Sequence, residues 1–403
     1  MLTERALFFR HLAPTSDAPL ALEIERAEGI YLYGPDGKSY IDLISGISVS
    51  SVGHRHPHVV KAITDQLGKY MHLMVFGEFI QSPQVRLAEK LASVLPPALQ
   101  SCYFVNSGSE AIEGALKLAK RYTGRSKICS FRNAYHGSSH GALSVMGNES
   151  FKRAFRPLLP DVHQLEFNSM AEIIKIDKRT ACVLIEPIQG EAGVIPATAE
   201  FLVALRKRCD ETGALLIFDE IQTGFGRTGK LFAFEHYGVI PDIITLAKAM
   251  GGGMPIGAFI SSPLIMNTLS YSPVLGHITT FGGHPVSCAA AMATLEVLIA
   301  ENLPEQVKEK EMLFRELLSG HPLVKEMRSG GLLMALELPD YETNKLVIDK
   351  AIEKGVILDW FLFNPQSMRI APPLIITKDQ ITAVCRTILE AMDEVLSEKY
   401  SKR

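Results

Sequence analysis

Across the middle of the chain, short continuous apolar runs alternate with stretches whose apolar residues recur at helical spacing. "SCYFVNSG" precedes the helical "EAIEGALKLAKRYTG", and "KICSFRNAY" follows it. Then come "ACVLIEP", "ALLIFDE" and "DIITLAK", with the helix-like "TAEFLVALRKRCDETG" between the first two, and "IGAFISS" closes the series. Strands without polar alternation are buried on both faces. The pattern therefore predicts a mostly parallel sheet covered by helices, an α/β domain over residues 50–290. From 291 the character changes. A long helical region leads to "GLLMALEL", "GVILDW" and "SMRIAPPL", which read as strands of a smaller α+β domain over residues 291–403 that ends in the helix "KDQITAVCRTILEAMDEVLSEKY". Residues 1–49 carry β-like runs around the turn sequence "GPDGK" and are expected to pack on the small domain.

The chain has 403 residues and a net charge of −3, with no lysine or arginine block. That length predicts two domains. The charge argues against nucleic acid and membrane surfaces as partners. No apolar run is long enough to span a bilayer, and "MLTERALFFRHLAP" does not read as a signal peptide. Cys102, Cys129, Cys182, Cys209, Cys288 and Cys385 are scattered without a C-x-x-C pair, as expected of free thiols in a cytoplasmic protein. His54, His56 and His58 alternate in "GHRHPHVV", but glycine and proline there favour a turn. No metal site is expected.

Four strand ends carry unusual polar groups, and open α/β sheets bind ligands beyond the carboxyl ends of their strands. After "SCYFV", Ser107-Gly108-Ser109 opens a helix. Its free N–H groups suit a phosphate, although a plain capping serine gives the same pattern. Tyr135 in "FRNAYHGSS" can stack on a planar ring or serve as a core tyrosine. Asp219 ends "LLIFD" and needs a cationic or hydrogen-bonding partner. Glu220 follows it, but adjacent residues leaving a strand point to opposite sides, which argues against a paired-carboxylate hydrolase. Lys248 ends the next run and precedes three glycines. Alone it reads equally as a lysine whose stem lies on apolar surface. Taken together, an anion cradle, an aromatic, a buried acid and a buried lysine are the parts that hold pyridoxal phosphate.

With these motifs in order, the chain resembles the class III (ω-amino) aminotransferases of pyridoxal-phosphate fold type I. Acetylornithine, ornithine and 4-aminobutyrate aminotransferases belong to that group. "NSGSEA", "YHG", "EPIQGEAGV", "DEIQTGFGRTG" and the lysine-glycine block carry the resemblance, which runs from "GIYLYGPDGKSYIDLISG" to "MRIAPPL". It implies a seven-stranded, mostly parallel sheet. Gly108 and Ser109 then bind the phosphate, Tyr135 stacks on the ring, and Asp219 pairs with the pyridinium. Gln222 meets the 3-hydroxyl, and Lys248 forms the Schiff base and moves the proton. Thr280 in "HITTFGGHP" is implied to reach the phosphate in a neighbouring subunit, hence a homodimer. Glu191 and Arg369 match the pair that alternates between a substrate carboxylate and the second substrate, with 2-oxoglutarate and glutamate as partners.

Two positions depart from the family pattern. Ser138 stands where acetylornithine, ornithine and many 4-aminobutyrate enzymes carry an arginine for a substrate carboxylate. Ile47 stands where ornithine-type members have an aromatic residue. The reaction expected is transfer of the distal amino group of an acetylornithine/ornithine-type donor to 2-oxoglutarate. A diamine such as putrescine, or 4-aminobutyrate, is the alternative donor, with Arg132 or Arg55 as candidate substitutes for the absent arginine. A same-fold racemase or aminomutase is a further alternative.

Overall fold

The computed structural model describes residues 2–401. Its centre is a seven-stranded sheet with the strand order 101–105, 257–261, 243–246, 215–219, 180–185, 127–131, 162–165. Five of these strands, including Thr180–Ile185 and Leu215–Asp219, are buried along their whole length. That is the expected consequence of apolar runs without alternation, because helices cover both faces. All neighbouring pairs are parallel except those of Gly257–Ser261, which runs antiparallel to both its neighbours. Placing this strand beside Ile243–Leu246 lets the short connection 247–256, which carries Lys248, turn straight back without an α-helical crossover.

The chain's beginning and its last quarter share a sheet. Tyr31–Tyr33 and Ser39–Asp42 form the hairpin expected at "GPDGK", closed by Gly34 N–H to Lys38 O at 2.8 Å. Ser39–Asp42 then pairs in parallel with Val356–Ile357. A second, antiparallel sheet joins Glu326–Ser329, Met334–Glu337, Asn364–Ile370 and Asp359–Phe361.

The long helical region is two helices, Pro285–Ala300 and Leu303–Leu318, meeting at 67°. Asn302 between them has φ 48, and Pro304 lies in the first turn of the second helix, which a continuous helix would not accept. The first helix runs unbroken across residue 290. Among the described residues no single helix is long and apolar enough to cross a membrane.

Arg227, fully buried, fastens the segments together. It donates to Leu332 O at 3.0 Å, Pro372 O at 2.5 Å and Ser51 Oγ at 3.0 Å. Burial pushes its pKa down to about 9. Pro372 lies three residues beyond Arg369, so this anchor also fixes the strand end that faces the site.

Candidate active site

The carboxyl ends of the central strands open on a cavity of about 410 Å³. Its lining includes Gly108, Ser109, Tyr135, Asp219, Gln222 and Lys248, which lie up to 140 positions apart in the chain.

One side is the start of the helix Gly108–Thr123. Ser107 caps it, accepting from Glu110 N–H at 3.2 Å, and Glu110 Oε2 reaches back to Asn106 N–H at 2.8 Å. The reciprocal pair fixes the first turn and leaves the next N–H groups facing the cavity with the positive end of the helix dipole. Ser109 Oγ accepts from Ser138 N–H at 3.2 Å. Gly137, between Tyr135 and this contact, has φ +118, and a Cβ there would lie 2.0 Å from Ser109 Oγ. Gly137→Ala is therefore expected to destabilise by about 1–3 kcal/mol. A lowered midpoint of thermal denaturation checks this.

Asp219 ends its strand opposite Thr245 in the parallel neighbour. Its Oδ2 lies 2.7 Å from His136 Nδ1, and its Oδ1 accepts from Ile221 N–H at 3.0 Å. Glu220 turns the other way, into the protein. It accepts from Ala233 N–H, Phe234 N–H and Thr223 Oγ at 2.6, 2.7 and 3.1 Å, and burial raises its pKa to about 7. The two carboxylates thus face opposite sides, as the strand period requires.

Lys248 is half-buried at the cavity wall. Burial pushes its ammonium pKa down, with the Glu191 charge opposing. Its backbone has φ 45, a left-handed conformation costly for a residue with a side chain, and such strain concentrates at functional sites. The following glycines make the turn possible: Gly252 has φ +57, and a Cβ there would meet Thr294 Oγ at 2.2 Å.

A second group of residues lies toward the small sheets. Arg369, 2% exposed, donates from Nη1 and Nη2 to the two oxygens of Glu191, each at 2.9 Å. Burial alone would raise the Glu191 pKa, but the Arg369 charge, the Leu362 N–H and the Lys248 charge together outweigh it and hold the carboxyl below its usual range. Glu191 also accepts from Leu362 N–H at 3.0 Å. Asp359 Oδ1 stands 3.1 Å from Arg369 Nε. Burial raises Asp359 to about 6, against the pull of Arg369.

Not every expected residue meets at the cavity. Thr280 is exposed on the segment 271–284; its neighbour Thr279 accepts from Asn106 Nδ2 at 3.0 Å. Ile47 has φ 66 and stays outside the lining, where Val49 stands instead. Ser138 Oγ lies 3.3 Å from the Tyr135 hydroxyl. Arg132 is paired with Glu166 and its side chain is 63% exposed, while Arg55 is exposed with φ 54.

Three lining or adjoining groups were not singled out from the sequence. His136 holds Asp219. Glu186 accepts from Tyr135 N–H at 3.0 Å and Gly190 N–H at 3.2 Å, and its pKa is raised by burial first and by the Asp219 charge second. Asp359 faces Arg369. Glu186 ends the apolar run "ACVLI", the same signal that marked Asp219, and was legible on that ground.

Two buried side-chain nitrogens in this region lack protein partners, Gln222 Nε2 and His136 Nε2. An orphaned donor costs about 1–3 kcal/mol, so Gln222, which lines the cavity, is suited to a ligand oxygen.

The Aminotransferase class-III family model matches residues 12–392. Among solved structures, a transaminase from the marine bacterium Virgibacillus is 30% identical. It has a TM-score of 0.91, with 97% of this chain and 98% of that chain covered. An amine transaminase from an uncultivated Pseudomonas species, solved in its PLP-bound form, is 29% identical with a TM-score of 0.88, covering 96% and 98%. The ornithine aminotransferase from Toxoplasma gondii is 29% identical with a TM-score of 0.90, covering 99% and 96%.

Proposed function

Because this chain belongs to the class III aminotransferases, which work with pyridoxal 5′-phosphate, we propose that it moves the distal amino group of an acetylornithine/ornithine-type donor to 2-oxoglutarate, giving glutamate and a semialdehyde. The observation that carries this reading is the buried Arg369 fork latched in two bonds by Glu191. One pocket has to accept a dicarboxylate in one half-reaction and a donor presenting its distal amine in the other. A carboxylate that can leave the arginine serves both, because it covers the cation when no substrate carboxylate needs it.

The residues around the cavity suit the cofactor. The helix start at Gly108 and Ser109 matches a phosphate, Tyr135 a ring face, Gln222 Nε2 the oxygen on C3, and Asp219 the ring nitrogen. When bound, the cofactor supplies an electron sink conjugated to the reacting carbon. Asp219, oriented by His136 and the Ile221 N–H, would keep the ring nitrogen protonated. Lys248 Nζ is the point of covalent attachment. When not holding the cofactor, this amine would carry the proton that the reaction moves. The lowered pKa favours the neutral amine this step requires.

In this reading residues 50–290 carry the cofactor, while 1–49 and 291–403 together carry Arg369. The working unit is a homodimer in which Thr280 reaches the phosphate of the partner's cofactor. Tyr271, Val274, Leu275, Ile278 and Phe281 are exposed on the same segment, an apolar surface suited to a second copy. The six free cysteines fit a cytoplasmic protein. A donor screen with 2-oxoglutarate, reading glutamate formation, tests the reaction. If no amine donor yields glutamate, the proposal fails.

A second reading, a diamine donor such as putrescine, is favoured by Ser138. A serine offers no cationic fork, and burying a substrate carboxylate without a partner is costly. Ser138→Arg is expected to raise kcat/KM for N-acetylornithine or 4-aminobutyrate by about 10-fold, the scale of one charge-assisted pair. Steady-state kinetics on ornithine, putrescine and these two donors checks it. Efficient use of N-acetylornithine by the unaltered protein, with no gain in the variant, removes the diamine reading.

A further inference from the structure

Asp359 supplies Arg369 with a second counter-charge that the transamination reading above leaves without a role. The two residues stand directly opposite each other in the antiparallel strands Asp359–Phe361 and Asn364–Ile370. Asp359 Oδ1 is 3.1 Å from Arg369 Nε, an ion contact in which the N–H is not aligned for a hydrogen bond. The Phe361 ring lies 4.6 Å from the guanidinium carbon, and the Trp360 carbonyl accepts from Nη2 at 3.3 Å. On the other neighbouring strand the residue opposite Arg369 is Ala335, too small to touch the charge. The guanidinium is therefore held at its stem side and on one face by the short strand 359–361. Its outer edge, Nη1 and Nη2, is the part Glu191 occupies.

We propose that Asp359 is a positioning residue that fixes the Arg369 fork while Glu191 alone moves, so that the α-carboxylate of a 2-oxo or 2-amino acid enters the geometry Glu191 vacates. The inference rests on Arg369 being the carboxylate receptor proposed above. An entering carboxylate takes the place of Glu191 on the same two nitrogens. The repulsion Asp359 exerts on either carboxylate is then nearly equal and cancels in the exchange. What remains is orientation: a fork already held in its binding pose loses less freedom when it binds. Glu191 cannot supply this, because it is the group that leaves.

The test uses the holoprotein and two probes. Glutarate, a dicarboxylate without an amine, is titrated by calorimetry, and L-glutamate is followed by single-turnover bleaching of the visible cofactor band. Asp359→Ala is expected to weaken the apparent affinity for both by about 10-fold, with the saturating bleaching rate kept within about twofold. Asp359→Asn keeps an oxygen facing Nε and is expected to lose only about threefold. If Asp359→Ala does not fold, Asp359→Asn decides alone, and an unchanged glutarate affinity overturns the proposal. Equal falls in affinity and bleaching rate, together with a lowered denaturation midpoint, assign Asp359 to packing and also overturn it. Arg369→Ala separates the two ideas. If it abolishes glutarate binding while Asp359→Ala leaves it intact, the positioning role alone fails. If Arg369→Ala still binds glutarate, the carboxylate role of Arg369 fails, and this inference with it.

Discussion

Lys248→Ala should lose the visible absorption of the bound cofactor and reduce turnover more than about 10³-fold, since covalent attachment and proton transfer depend on the same nitrogen. The fold should survive. Alanine bears the same Cβ into the same left-handed backbone position at φ 45, so no new backbone strain arises. It also removes an amine whose charged form is disfavoured by burial. Absorbance near 400 nm, a melting curve and turnover measured on one preparation check all three statements. Turnover within tenfold of the unaltered protein would remove Lys248 from the chemistry.

Asp219→Asn is the second large effect, with an expected fall in kcat of about 10²–10⁴-fold. The carboxamide keeps the side-chain shape. Its oxygen can take over either the 3.0 Å bond from the Ile221 N–H or the contact with His136 Nδ1, so local structure should persist. What disappears is the negative charge that holds a proton on the ring nitrogen, and an unprotonated ring is a poorer electron sink. Cofactor content should stay near one per chain while kcat drops. Near-normal kcat would take Asp219 out of the mechanism. Loss of cofactor in step with activity would make its role one of binding.

The difference between what the sequence showed and what it hid has physical causes. Asp219 and Lys248 were legible because each ends an apolar run, where an ionisable side chain is costly and therefore conspicuous. The mostly parallel, helix-covered sheet was legible for the same reason, since strands without alternation require cover on both faces, whereas its count of seven strands came from the family resemblance. Its one antiparallel strand was not, because "IGAFISS" has the same apolar pattern in either direction. His136 became informative only beside Asp219, 83 residues away. Asp359 meets Arg369 through a strand register that no periodicity specifies. Val49 stands in the cavity wall, and Ile47 does not, because residues 45–48 include four consecutive positive φ angles. Counting along a regular strand or helix cannot anticipate which side chain faces inward there.

The most direct test of the account is where the cofactor is bound. Borohydride reduction of the holoprotein, followed by proteolysis and mass mapping, should place a single reduced pyridoxyl phosphate group on the peptide that contains "LAKAMGGG", at Lys248. A label on any other lysine, or no label on protein that turns over an amine, would contradict the site assigned here.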